Sequence, residues 1–173
     1  MASSEEVTLQ VATADDAPVL ANLLEFYLHD LSEAFPLDVK ADGRYGYQWL
    51  PLYWTEPHKR FAFLIRVGGR LAGCILVTRG SPATHDPDDL DVAEFFILRR
   101  YRRCGIGRRA AVLLWNRMAG KWIVRVLEAN RAGMLFWEPV IRDYTNGDFV
   151  KRDHFIHAHN SCIFTFRSDG ENA

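Results

Sequence analysis

Cysteine is scarce in this chain: among 173 residues only Cys74, Cys104 and Cys162 occur, far apart and without a CxxC pair. Such spacing suggests neither a disulfide framework nor a zinc site, and no metal is expected. Long apolar runs are missing as well. No stretch approaches the about 18 apolar residues that a membrane span requires, and the opening MASSEEVTLQVATADD carries no basic n-region and no apolar h-region. The expectation is a cytoplasmic protein without membrane association. Net charge is nearly absent, at −1. That argues against the broad electrostatic footprint of a nucleic-acid binder and leaves a local phosphate site as the simpler use of the arginines between Arg99 and Arg109. Internal repeats, low-complexity segments and the phosphate loop GxxxxGK[ST] are also absent.

What the chain has in quantity is apolar and aromatic surface: 49% hydrophobic residues, with eleven Phe and five Trp. This excludes a disordered chain, and the length suits one domain over residues 1–173.

Periodicity supplies the elements. Val7, Leu9 and Val11 alternate with polar residues as a first strand. Leu20, Leu23, Leu24, Tyr27, Leu28 and Leu31 recur at helical spacing, giving an amphipathic helix that begins near Ala14 or Asp15 with Pro18 in its opening turn. Residues 35–57 hold Tyr45, Tyr47, Trp49, Tyr53 and Trp54 and read as a short helix or loop. Runs 60–67 and 70–78 are joined by Gly68-Gly69, a hairpin with a primed turn. Residues 91–98 form a buried central strand.

Ala110, Ala111, Leu114, Trp115 and Met118 then share a helical face, with Gly120 as the expected C-cap. A strand over 122–127 follows. A helix from about Asn130 runs beyond Trp137, and Pro139 is expected to kink or end it. Strands near 148–156 and 162–166 close a mixed α/β (α+β) order.

One segment carries chemistry. The strand Phe95-Phe96-Ile97-Leu98 enters a basic turn, Arg99 to Arg103, then Cys104-Gly105-Ile106-Gly107-Arg108 opens a helix. The first backbone N–H groups of a helix lack internal partners and sit at the positive end of its dipole, so they suit a pyrophosphate. Gly105 and Gly107 leave the backbone room to approach it. The dinucleotide pattern GxGxxG fails at Ala110.

Arg102-x-x-Gly105-x-Gly107, after an apolar strand and before an amphipathic helix, resembles the Q/R-x-x-G-x-G/A signature of the GNAT superfamily. Asn130 with Phe136-Trp137 downstream resembles that family's second coenzyme-contacting stretch, and the element order is similar over nearly the whole chain. Ala93-Glu94-Phe95-Phe96 looks like a bacterial branch of unassigned substrate. The resemblance implies a mostly antiparallel central sheet flanked by helices and acetyl-CoA as co-substrate. It also implies an amine-bearing acceptor, a small molecule rather than a protein, and leaves a homodimer open. By the same resemblance, backbone groups of Phe96, Ile97 and Leu98 pair with the pantetheine arm. Those of Arg102, Arg103, Cys104, Gly105, Ile106, Gly107 and Arg108 hold the pyrophosphate, and Asn130 and Trp137 contact the coenzyme.

Acetyl transfer to an amine needs a neutral amine and a stabilised oxyanion. Glu94, in an otherwise apolar strand, is the candidate base because burial raises a carboxyl pKa; a structural ion pair is the equal alternative. Trp137 stands where many family members carry a Tyr acid, so that acid is missing, and Tyr144, read as a surface residue, is the nearest substitute. Cys104 raises a covalent route, discounted because its turn faces phosphates. His154, His157 and His159 close poorly around a metal. The aromatic cluster at 45–54 is a candidate acceptor wall mixed with core, and Asp86 to Asp91 reads as a solvated acidic loop. A non-catalytic acyl-CoA-binding domain and an arginine-based nucleic-acid module remain the competing functions.

Overall fold

The computed structural model describes residues 5–156 and 159–170. Among them seven strands form one sheet in the order β1-β2-β3-β4-β5-β7-β6. The strands are β1 (Val7–Val11), β2 (Arg60–Val67), β3 (Arg70–Arg79), β4 (Leu90–Ile97), β5 (Gly120–Leu127), β6 (Val150–Ile156) and β7 (His159–Ser168). Every neighbouring pair is antiparallel except β4 and β5, which run parallel.

Helices cover both faces. On one, α1 (Ala17–Leu31) and the single turn α2 (Leu52–Thr55) bury Leu20, Leu23, Leu24 and Tyr53 against Leu64, Leu76 and Phe96. On the other, α3 (Ile106–Arg117) and α4 (Arg131–Thr145) pack Trp115, Trp137 and Ile141 on Ile75, Trp122 and Phe164. Each such large side chain contributes about 1.5–3 kcal/mol on burial. No helix of the described residues is long and apolar enough to cross a membrane.

Local signals explain most ends. Thr13 and Asp16 form a capping box ahead of α1, with the Thr13 amide donating to Asp16 Oδ2 at 2.9 Å, and Pro18 lies in the first turn where its missing N–H costs nothing. Gly68 and Gly69 have φ of 53° and 78°, as a type I′ turn requires. Two expectations fail. Gly120 does not cap α3: Met118 is already extended at the C-cap and Gly120 opens β5. Pro139 does not end α4, which continues to Thr145. The carbonyl that loses its partner belongs to Leu135, on a turn where Leu135 is 79% exposed and Pro139 is itself exposed.

Two irregularities position the site. The β3–β4 register passes from Leu76↔Glu94 to Val77↔Val92, leaving Ala93 as a β-bulge. The bulge puts Ala93 and Glu94 toward the same, α1-covered face. Beside it, β4–β5 pairing stops at Val92↔Val124 although both strands continue, so the sheet forks there.

Candidate active site

The fork opens a groove of about 1520 Å³ that passes between the sheet halves and is bounded by α1, the start of α3 and α4. This exceeds the roughly 300–1,000 Å³ of ordinary small-ligand pockets and leaves room for a large coenzyme with a second substrate.

At the α3 end the chain is shaped for an anion. Arg103 and Gly105 have φ of 59° and 76°, and the first bond of the α3 ladder, Arg109 N–H to Gly105 O at 3.1 Å, leaves the amides of Ile106, Gly107 and Arg108 without helical acceptors. Gly105 serves backbone conformation, since a Cβ there would meet no atom within 4 Å; Gly107 serves packing, since its Cβ would stand 3.0 Å from the Phe136 ring. Arg103, Cys104 and Arg108 are exposed, and Cys104 Sγ donates to the Arg102 carbonyl at 3.2 Å. The arginine run is far from a free basic strip. Arg99 and Arg102 bind Asp30, and Arg108 pairs with Asp143 at 3.1 Å.

Register decides which backbone groups of β4 face the gap. The Leu98 amide is donated to the Ala72 carbonyl at 2.9 Å, so by antiparallel alternation Phe96 also bonds β3, while Phe95 and Ile97 turn their N–H and C=O groups toward the fork. The Ile97 carbonyl is taken by Arg102 Nε at 2.7 Å, leaving the Ile97 N–H open. Of Phe96, Ile97 and Leu98, Ile97 is thus the one whose backbone faces the fork, together with Phe95.

Glu94 lies at the floor of the fork, where Tyr47 Oη donates to its Oε1 at 2.8 Å. Burial raises the Glu94 pKa, against the opposing pull of the Tyr27 and Tyr47 hydroxyls and of Arg125. Both tyrosines are themselves pushed up, first by burial and then by the Glu94 charge, so they stay protonated donors. Arg125 is bidentate to the fully buried Asp91, at 2.8 Å through both Nε and Nη2, and ties β4 to β5 on either side of the last paired residues, Val92 and Val124.

Tyr47 stabilises ionised Glu94, so its loss raises that pKa further. Tyr47→Phe is expected to move the titration of the Glu94 carboxyl to higher pH. Carbon-detected NMR titration of the glutamate carboxyls in both proteins checks this; an unmoved Glu94 midpoint contradicts it.

A profile of the acetyltransferase (GNAT) family matches residues 22–140, more than half of the chain and all of the fork. The chain belongs to the acetyltransferase (GNAT) family. It is an acetyltransferase enzyme whose co-substrate is acetyl-CoA. Solved structures share the fold at low identity. An acetyltransferase from Thermus thermophilus superposes with TM-score 0.64 at 15% identity, over 93% of this chain and 96% of that one. RimL, a ribosomal L7/L12 alpha-N-protein acetyltransferase in complex with coenzyme A, does so with 0.62 at 13%, over 99% and 98%. A spermidine/spermine N-acetyltransferase from Vibrio cholerae gives 0.58 at 14%, over 94% and 95%. No curated protein matches in sequence.

The remaining residues singled out in the sequence divide between groove and core. Asn130 caps α4, its Oδ1 accepting the Gly133 N–H at 2.9 Å, and it lines the groove. Trp137 is 7% exposed and packs against Phe95 at 4.8 Å and Phe136 at 4.8 Å, touching the groove as an apolar wall. Tyr144 is no surface residue and no acid for this groove: it bonds Asn116 Oδ1 at 3.0 Å and Ser168 Oγ at 2.9 Å and packs on Trp115 at the far side of α3.

The acidic loop is not simply solvated. Asp89 and Asp91 are buried and neutralised by Lys121 and Arg125. Of the aromatic cluster, Tyr47 reaches the site, Tyr53 is core, and Trp49 is 51% exposed. His154 is exposed on β6, His159 lines the groove on β7 with its ring 4.5 Å from Phe35, and His157 lies outside the described residues. Sequence reading missed Tyr27, Asp30 and Arg125. A polar side chain set in an otherwise apolar stripe, as at Tyr27 on α1 and Arg125 between Val124 and Val126, was the available signal.

Proposed function

We propose that this GNAT enzyme transfers acetyl from acetyl-CoA to a primary amine of a small molecule by direct attack within a ternary complex, with Glu94 as the base. The observation that carries it is a carboxyl with raised pKa, held by Tyr47, at the point where the free edge of β4 meets the acceptor-side helix α1. The α3 amides hold the pyrophosphate, aided by the backbone from Arg102 to Arg108. The Phe95 and Ile97 edge pairs with the pantetheine arm as an added strand would, and places the thioester beside Glu94. The amine proton passes to Glu94, the nitrogen–carbon bond forms, and the carbon–sulfur bond breaks. A backbone N–H of β4 receives the oxyanion. The coenzyme leaves as a thiolate; Glu94 returns the amine proton to solvent and solvent protonates the thiolate, in keeping with Trp137 where an acid would stand.

Acceptor size follows from the walls. Tyr27, Leu31, Phe35 and His159 line that side, and the Phe35 and His159 rings meet at 4.5 Å, a setting that favours a small amine over a protein segment. Initial rates measured over a matrix of acetyl-CoA and amine concentrations test the ternary complex. Intersecting double-reciprocal lines are expected; parallel lines with an acetylated protein in the mass spectrum would establish a covalent route instead.

A further inference from the structure

The Arg102 side chain has little capacity left for a phosphate. Its Nε donates to the Ile97 carbonyl at 2.7 Å, a terminal nitrogen binds Asp30, and the guanidinium lies 5.5 Å from the Phe96 ring centroid. The other oxygen of Asp30 takes Arg99 at 2.6 Å. One carboxylate on the last turn of α1 therefore receives both arginines that bracket a 3₁₀ turn 69 and 72 residues away in sequence. Both arginines pull the Asp30 pKa down against a burial effect that raises it, so it stays ionised.

The stretch that follows needs such an anchor. Arg103, Cys104 and Gly105 are exposed, and Arg103 sits in the left-handed region, which costs a non-glycine residue energy unless its surroundings impose it. Their placement sets where the amides of Ile106 to Arg108 point. Charge-assisted bonds to a partly buried carboxylate are the strong class of hydrogen bond and suit that task.

We propose that Asp30 is a positioning residue for the coenzyme: through Arg99 and Arg102 it holds the turn that aims the α3 amides at the pyrophosphate, and Arg102 acts as a strut and not as a phosphate ligand. The proposal rests on the coenzyme assignment of the α3 turn. It also ties the coenzyme turn to the helix that carries Tyr27, so both substrates meet one braced unit.

The test is calorimetric titration of CoA into wild type, Asp30→Asn and Asp30→Glu, with hydrogen exchange of residues 99–108 followed on each apo protein. Asp30→Asn is expected to weaken CoA about tenfold, the effect of losing one to two charge-assisted bonds through an intermediary. Faster exchange should be confined to the turn and to the start of α3, and Asp30→Glu should recover much of the affinity. CoA affinity within twofold of wild type in Asp30→Asn would overturn the proposal, as would weaker binding with unchanged exchange in the turn. Wild type that fails to bind CoA would overturn the coenzyme assignment, while the exchange data would still report whether Asp30 orders the turn.

Discussion

Replacing Glu94 by Gln is expected to lower kcat by about 10²- to 10⁴-fold, the range that general-base catalysis contributes, while acetyl-CoA binding stays within about threefold of wild type. Glutamine keeps the shape and can still accept from Tyr47, so the loss isolates the proton-accepting function. The pH profile sharpens the test. In the wild type the rate should fall as pH drops through a Glu94 pKa that burial has raised above the ordinary carboxylate range, because only the ionised form takes the amine proton. The Gln variant should lose that limb. CoA-thiol release with a competent amine measures both, and a Gln variant with more than a third of wild-type kcat would remove Glu94 from the mechanism.

Asp91→Ala is expected to destabilise the fold by about 3–5 kcal/mol, the cost of stripping one partner from a buried ion pair. Asp91 is fully buried and bidentate to Arg125, and it accepts from Ser81 as well. The variant strips the guanidinium at the fork of its hydrogen-bonded counter-ion and leaves only the longer-range charge of Glu94 acting on it. Against a typical total of about 5–15 kcal/mol this is a large fraction. Asp143→Ala, which breaks the exposed pair with Arg108, is the control and should cost no more than about 1 kcal/mol. Urea denaturation of both variants measures the contrast, and equal effects would mean that the Asp91–Arg125 link does not hold β4 to β5.

Sequence patterns that act over a few residues translated directly into structure. Gly68-Gly69 made a hairpin, the strand–turn–helix around Gly105 kept its form, and Asn130 capped α4. The contacts that the sequence did not announce join residues far apart along the chain. Gly107 makes room for Phe136, twenty-nine positions on, and nothing near it in sequence announces that contact. Tyr47 reaches Glu94 across 47 residues, and Arg102 reaches Asp30 across 72. Asp91 looked like part of a solvated loop because its partner, Arg125, belongs to a strand that becomes a neighbour only through the parallel crossover. Pro139 carries the complementary lesson. Its local penalty was real, but the face of α4 on which it falls is open to water, and the helix bears the loss of one bond. The strand–turn–helix at the start of α3 was legible because local backbone geometry encodes it; the surroundings of Glu94 were not, because tertiary contacts assemble them.

The central claim is that the fork between β4 and β5, with the α3 amides at one end, holds acetyl-CoA. A thermal-shift titration with acetyl-CoA tests it most directly. At about 100 times its dissociation constant the coenzyme should add roughly 2.7 kcal/mol of stability and raise the unfolding midpoint by several degrees, with the shift growing with ligand concentration. An unfolding midpoint that does not move at millimolar acetyl-CoA would contradict the account.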